Sequence, residues 1–257
     1  MLFQFLKEPT LSVKKVCFAL FSLFVSLQLN AQHIARIRFD DDFSYLKHDS
    51  LKKTWDEKWK MISVGGPIKL SIGGEWREQY QSYTHVNFGE VPSNFETECP
   101  HQLMHRIMLH ANLQWAQKFR IFAQLNNTMR FWNPNPLTSQ LDQNELSIHQ
   151  LFAEASIAPH TILRVGRQEY SWGLERFVAT KEGPNTRQPF YGATLKYQFL
   201  KNKFEAFLSN PIKMNPGAWD DVRSSEILGG AYFTHAYKPS RANLDLYYFY
   251  FESTLRE

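Results

Sequence analysis

Eight cationic side chains fall at alternate positions along stretches whose other parity is apolar: Lys69, Arg77, Arg106, Lys118, Arg120, Arg164, Lys196 and Lys203. Three carboxylates share that parity, Glu75, Glu154 and Glu205. A guanidinium is a planar fork that grips carboxylate or phosphate through two hydrogen bonds. Rings of Arg and Lys along a confined channel give a passing anion Coulomb energy that bulk water would screen. The chemistry to expect is anion contact and conduction. Some of these arginines must also pair with Glu75 and Glu154 to hold strands in register, about half of them by a rough surface-pair expectation. The segment 176–187 (RFVATKEGPNTR) adds Arg176, Lys181 and Arg187 around a Gly183-Pro184-Asn185 turn. Such a loop could fold inward as a constriction or lie solvated outside.

Other chemistries find little support. The chain has no GxSxG, HExxH, GxxxxGK[ST] or CxxC pattern, so neither a catalytic constellation nor a cofactor is expected. His101, His105 and His110 lie close in sequence, but on a strand the first two share a face and the third is opposite, which argues against a metal site.

These side chains need strands to position them. From Ile68 to Gln81 the even positions read Ile, Leu, Ile, Gly, Trp, Glu, Tyr and the odd ones Lys, Ser, Gly, Glu, Arg, Gln, Gln. Period-two alternation over such a length is a strand signal, longer than the usual five or six residues. Gln102–Trp115 repeats it, and Lys118–Asn126 begins a third strand. Weaker alternation at 150–157, 161–169, 191–199, 203–208, 227–237 and 243–251 gives nine strands in all. Short turns at Ala116-Gln117, Ala158–His160, Leu200–Asn202 and Lys238–Ala242 alternate with long connections at 82–101, 127–146, 170–190 and 210–226. Short turns on one side and long loops on the other predict an all-β, antiparallel up-and-down transmembrane β-barrel of the bacterial outer membrane, apolar face to lipid and polar face to a wet lumen. Aromatics near strand ends would form its interfacial girdles: Trp76, Tyr80, Tyr83, Trp115, Phe131, Trp132, Tyr170 and Trp172. The competing reading is a secreted carbohydrate-binding β-sandwich.

Composition agrees. The chain has 257 residues, 15% aromatic and 43% hydrophobic, yet a mean hydropathy of −0.42. That combination excludes a bundle of membrane helices and suits one dry and one wet face. Lys7, Lys14 and Lys15 precede the apolar run Val16–Leu27, too short to span a bilayer but the length of a secretory h-region. Residues 1–31 are therefore expected to be a signal peptide cleaved near Ala31. They carry half of the formal net charge of +4, so nucleic acid is not an expected partner. Cys17 opens the apolar run rather than following it, and cleavage would leave Cys99 alone. Residues 32–67 read as a periplasmic lead-in packing on the barrel mouth. Within it Ser50–Lys60 could form a short helix capped by Asp49 or Ser50, with Trp55 and Trp59 on one face.

The segment LRVGRQEYSWGLERFVATKEGPNTRQPFYGATL (163–195) resembles the alginate export family of outer-membrane porins, which carry a similar RxGRQE strand followed by an EGPNxR-type loop. Ile72-Gly73-Gly74-Glu75-Trp76-Arg77-Glu78 is similar to that family's first strand. Phe122-Ala123-Gln124-Leu125 and His149-Gln150-Leu151-Phe152 are similar to its third and fourth. The resemblance implies a monomeric barrel over 68–257 with an electropositive pore for an anionic polysaccharide such as alginate, or for small organic anions, crossing by passive diffusion within outer-membrane lipid. On that reading, and from the lumen parity, the anion-contacting residues are Arg77, Arg106, Arg120, Arg164, Arg167, Arg176, Lys181 and Arg187. Arg167 and Glu169 fall on the lipid parity, so the strand must end there or a bulge must turn them inward. Family barrels have more strands, bacterial single-chain barrels have even numbers, and a terminal aromatic is missing after Thr254. The expectation is thus an incomplete barrel, the N-terminal portion of a truncated copy.

Overall fold

The structure, a computed structural model, describes residues 35–47, 54–82, 101–132, 142–216, 220–237 and 242–254. The signal segment, Tyr83, Cys99 and the Asp49/Ser50 cap lie outside the described residues. Among the described residues eleven strands form: β1 (Ile62–Gly65), β2 (Ile68–Ser82), β3 (His101–Trp115), β4 (Phe119–Phe131), β5 (Asn144–Ala158), β6 (Thr161–Gln168), β7 (Phe190–Phe199), β8 (Asn202–Lys213), β9 (Asp221–Val222), β10 (Glu226–Tyr237) and β11 (Ala242–Ser253). Every pairing is antiparallel and between neighbours in the chain, except that β8 pairs both β9 and β10. This is an up-and-down meander. Among the described residues the sheet is not closed, since β1 pairs only β2 and β11 only β10.

The nine strands of the alternation are all present, most of them longer than the pattern indicates. β5 starts at Asn144 because Asn144 and Ser147 still pair with β4. β1 and β9 were not anticipated. Four and two residues long, they are too short to display a period.

The register fixes one face. Arg77 lies opposite Arg106, Arg106 opposite Thr128, Arg120 opposite Glu154, Glu154 opposite Arg164, and Tyr232 opposite Tyr247. All point to the polar side. There the buried residues include Gln102, Arg106, Gln124, Gln150, Arg164 and Gln168, each at 2% exposure or less. On the other side Trp76, Leu109, Trp115, Leu208 and Leu246 are more than half exposed. Apolar out and polar in is the reverse of a soluble fold and matches a wall that meets lipid. The single sheet with an exposed apolar face overturns the β-sandwich alternative, which would bury that face between two sheets. No helix among the described residues is long and apolar enough to cross a membrane, which says nothing against crossing by strands.

The short turns carry positive φ at non-glycine residues, Ala116 (51°), His160 (61°) and Leu200 (53°). Left-handed residues suit the twist of tight hairpins.

The lead-in does more than rest on a rim. Ile37, Phe39 and Leu46 are buried, and Phe39 packs edge-on against Phe122 and Phe152 of the inward face at centroid distances of 5.8 and 5.1 Å. Within 54–60 only a 3-10 turn forms, Glu57–Trp59, where the spacing predicted a helix. Trp55 and Trp59 are 79% and 55% exposed, so they do not pack as a pair. Tyr170 and Trp172 are also misassigned by the girdle reading. They stack on each other at 4.8 Å inside the aromatic cluster with Phe190 and Phe207.

Gly166, in the VGRQ stretch of β6, sits at φ +133°, opposite Phe152. A Cβ there would collide with the Leu151 carbonyl and lie 2.7 Å from the Phe152 Cα. Gly166→Ala should therefore cost about 1–3 kcal/mol and reduce the heat-modifiable, folded band in detergent gels. Gly183→Ala, where a Cβ meets open space, should leave that band unchanged.

Candidate functional site

The β6–β7 connection folds onto the inward face, and one asparagine holds it there. Asn185 is fully buried. Its Nδ2 lies 3.0–3.1 Å from the carbonyl oxygens of His105, Met129 and Asp142, and its backbone N–H donates to Asp142 Oδ1 at 3.0 Å. Thr186 Oγ1 pairs with Thr128 Oγ1 of β4 at 2.7 Å. The Gly-Pro turn thus presents Asn185 to two strand carbonyls that side chains on the same face would otherwise have to satisfy.

Around this anchor four arginines meet three carboxylates. Arg77 donates to the Glu182 and Pro184 carbonyls at 3.0 and 3.2 Å and to Asn185 Oδ1 at 3.2 Å. Arg106 donates to Glu75 at 2.5 Å and to Glu182 at 2.9 Å. Arg187 pairs with Glu182, and reaches Glu75 at 3.5 Å and Glu169 at 3.8 Å. Arg38 of the lead-in reaches Glu75 at 3.2 Å. Glu169 is buried, with Oε1 on His149 at 2.9 Å and Oε2 on Gln150 at 3.1 Å.

A second cluster lies nearer the short turns. Arg120 and Arg164 both pair with Glu154. The Arg164 guanidinium lies 3.8 Å from the centroid of the Phe39 ring and 4.3 Å from that of Phe152. Desolvated stacking of this kind strengthens a cation–π contact. Arg120 donates to the Phe39 carbonyl at 2.8 Å, and Lys196 reaches Glu205 at 4.0 Å.

The eight residues expected to contact anions therefore separate. Arg77, Arg106 and Arg187 join one cluster, and Arg120 and Arg164 the other. Arg176 and Lys181 are exposed on the connection and enter neither. Arg167 keeps the outward parity. It pairs with Asp220 at 2.6 Å and donates to the His149 carbonyl at 3.1 Å. The bulge falls instead in β5. Gln124 pairs with Gln150 and Leu125 with Ile148, so His149 is the extra residue, and both His149 and Gln150 are buried. β6 ends at Gln168, and Glu169 then turns inward. Sequence reasoning missed Arg38, Glu182 and Asn185 because parity was counted only along strands, whereas for Glu169 the strand end that it allowed is the one found. The EGPN turn was the one available signal.

His101 meets the Tyr80 hydroxyl, His105 meets Glu78, and His110 stacks on Phe122, three separate settings. No cluster of three or more metal-ligating side chains occurs among the described residues.

The alginate export family matches residues 68–257. The chain belongs to the alginate export family. This is a family of outer-membrane transport porins, and membership implies passage of polysaccharide in general terms. Comparison with individually curated proteins gives no match. The family match covers both arginine clusters and the inward-folded connection, so the site described above lies wholly in family sequence apart from Arg38 and Phe39.

Two outcomes test this arrangement. Asn185→Ala removes hydrogen bonds worth about 1 kcal/mol each and should release the connection. Limited proteolysis near Arg176 and Lys181 should speed up several-fold while the strands stay protected; unchanged cleavage would refute the anchoring role. Burial alone would raise the Glu182 pKa, but Arg187 and Arg106 outweigh it and hold the carboxyl below its ordinary range. A depressed carboxylate stabilises above its unfolded pKa of about 4.3 and is lost as pH falls through the lower folded value. The connection should thus stay protected at pH 5 and open only in stronger acid.

Proposed function

We propose that this chain builds the wall of an anion-preferring outer-membrane pore that passes acidic polysaccharide such as alginate, or smaller organic anions, by passive diffusion. Residues 1–31 would be removed on export near Ala31, 32–67 would form the lead-in and 68–257 the wall, working as a monomeric barrel when its sheet edges are paired. The observation that carries the reading is the ratio of charges on the inward face. Glu154 serves two guanidinium groups, and Glu75 and Glu182 are each reached by three. The cluster of Arg38, Arg77, Arg106 and Arg187 against Glu75, Glu169 and Glu182 keeps a positive excess after its internal pairs are formed, whereas the charges around Arg164 balance once Asp40 is counted. A carboxylate moving along the face can then exchange with Glu75, Glu182 or Glu154 at a guanidinium without stripping the cation of all partners. That keeps binding reversible, which conduction requires. Nothing in the site assembles a nucleophile with a base, so no chemical step is proposed.

Reversal potentials across planar bilayers under a salt gradient test this. The expected sign is anion over cation, and Arg77→Ala with Arg120→Ala should shift it toward cations. Cation preference in the unmodified chain would overturn the proposal.

A further inference from the structure

A separate cavity of about 160 Å³ opens on the inward face between the β6–β7 connection and the strands β10 and β11. It is lined by Trp172, Phe177, Tyr232, Tyr247 and Phe249, together with Arg176 and Asp245. We propose that it is a stacking subsite for a pyranose ring. The proposal deepens the polysaccharide reading above and rests on it.

The aromatic side is prepared. Tyr232 and Tyr247 face each other across the β10–β11 pair with rings 7° from parallel, and the Trp172 ring lies 16° from that of Tyr232. Tyr232 is 8% exposed and forms the floor, whereas Tyr247 at 49% and Phe177 at 67% present open ring surface. Their centroids are 5.2 Å apart and their planes meet at 49°, a shallow trough. The indole N–H of Trp172 donates to Glu205 at 2.8 Å, which fixes the ring on its axis. Tyr247 and Phe177 pack on each other and on Phe249, so the trough is held in shape by its own rings, and their π faces suit the axial C–H surface of a sugar.

The polar side is prepared as well. Asp245 accepts a hydrogen bond from the Tyr232 hydroxyl. Its other oxygen, Oδ1, is buried with no hydrogen-bond partner among the described residues. An unpaired buried acceptor costs free energy unless a ligand hydroxyl supplies the donor. Arg176 at the rim offers a guanidinium to a sugar carboxylate. Few convergent polar groups among apolar walls is the ordinary composition of a small-molecule site, and this volume fits one ring rather than a drug-sized ligand.

Gly173 ties the loop to the trough. Its φ is +55°, and a Cβ would collide with the Tyr232 hydroxyl and stand 3.2 Å from Asp245 Oδ2. The Ser171-Trp172-Gly173 turn therefore brings the backbone against the tyrosine and aspartate as only glycine permits.

The test uses the full chain, folded in detergent and checked by heat-modifiability. Calorimetric titration with a uronate tetrasaccharide and with neutral cellotetraose distinguishes the two sources of pyranose. Binding should fall about three- to tenfold in Tyr247→Ala and in Phe177→Ala, and remain near normal in Tyr247→Phe. Arg176→Ala should weaken only the uronate. Failure of both sugars to bind, or unchanged affinity in both alanine variants, overturns the subsite. Bilayer reversal potentials on Tyr247→Ala separate the two readings. Loss of sugar affinity with anion preference intact supports the subsite. Sugar affinity that depends on Tyr247 in a chain without anion preference overturns the pore proposal alone.

Discussion

The constraint on which the structure depends is the burial of charge on the inward face. A strand wall whose outer side meets hydrocarbon must satisfy its polar side chains inward, because the outer side offers no hydrogen-bond partner. Arg106 and Arg164 are almost wholly buried, and an isolated buried guanidinium would cost several kcal/mol. Each is held by a carboxylate two residues or fewer from its own row on a neighbouring strand or loop. Glu75 serves Arg106 from β2, and Glu154 serves Arg164 from β5. These pairs fix register as well as charge. A one-residue slip of β5 would send Glu154 outward to lipid and leave Arg120 and Arg164 uncompensated together.

From this follows the placing of the two segments that are not strands. The β6–β7 connection brings Glu182 and Arg187 into the first cluster, and Asn185 caps strand carbonyls that face the interior. The lead-in brings Phe39 under Arg164 and Arg38 to Glu75. Both segments act as internal filler whose polar groups are matched to the wall. The matching is of charge with charge, since Arg38, Arg77, Arg106 and Arg187 each keep a buried Nε with no hydrogen-bond partner among the described residues. The connection also turns Trp172 onto Tyr232, so the same loop shapes the arginine cluster and the aromatic trough.

How much of this was legible follows from the range of the forces. Alternation is a local signal, and Ile68 to Gln81 or Gln102 to Trp115 announced their strands because every second residue meets the same medium. The anchoring of Asn185 was not legible. Its partners His105 and Met129 are 80 and 56 residues away, and nothing in a Gly-Pro-Asn turn says which carbonyls it will meet. The bulge at His149 was hidden for a related reason. Two consecutive buried polar residues break the period and look like noise until the register with β4 is known. Tyr170 and Trp172 were read as interfacial because aromatics near strand ends usually are. Alternation marks the end of the strand near Gln168 but does not say where the chain goes next, and here it carries Tyr170 and Trp172 inward.

Charge counting along parity alone also left out charges that the two non-strand segments bring to the face. The connection and the lead-in add Arg38 and Arg187, but they add Asp40, Glu169 and Glu182 as well. What remains is a modest excess arranged as shared carboxylates, and sharing matters more than the total. A guanidinium bound to one carboxylate by both prongs has no prong to offer. Arg106, by contrast, touches Glu75, Glu182 and the Asn185 carbonyl, so no single partner holds both prongs. When one carboxylate leaves or another arrives, the others still compensate the charge. On the proposed pore reading such sharing would let anions exchange at small cost per step, whereas a face of isolated bidentate pairs would be inert and a face of bare arginines would trap what it bound.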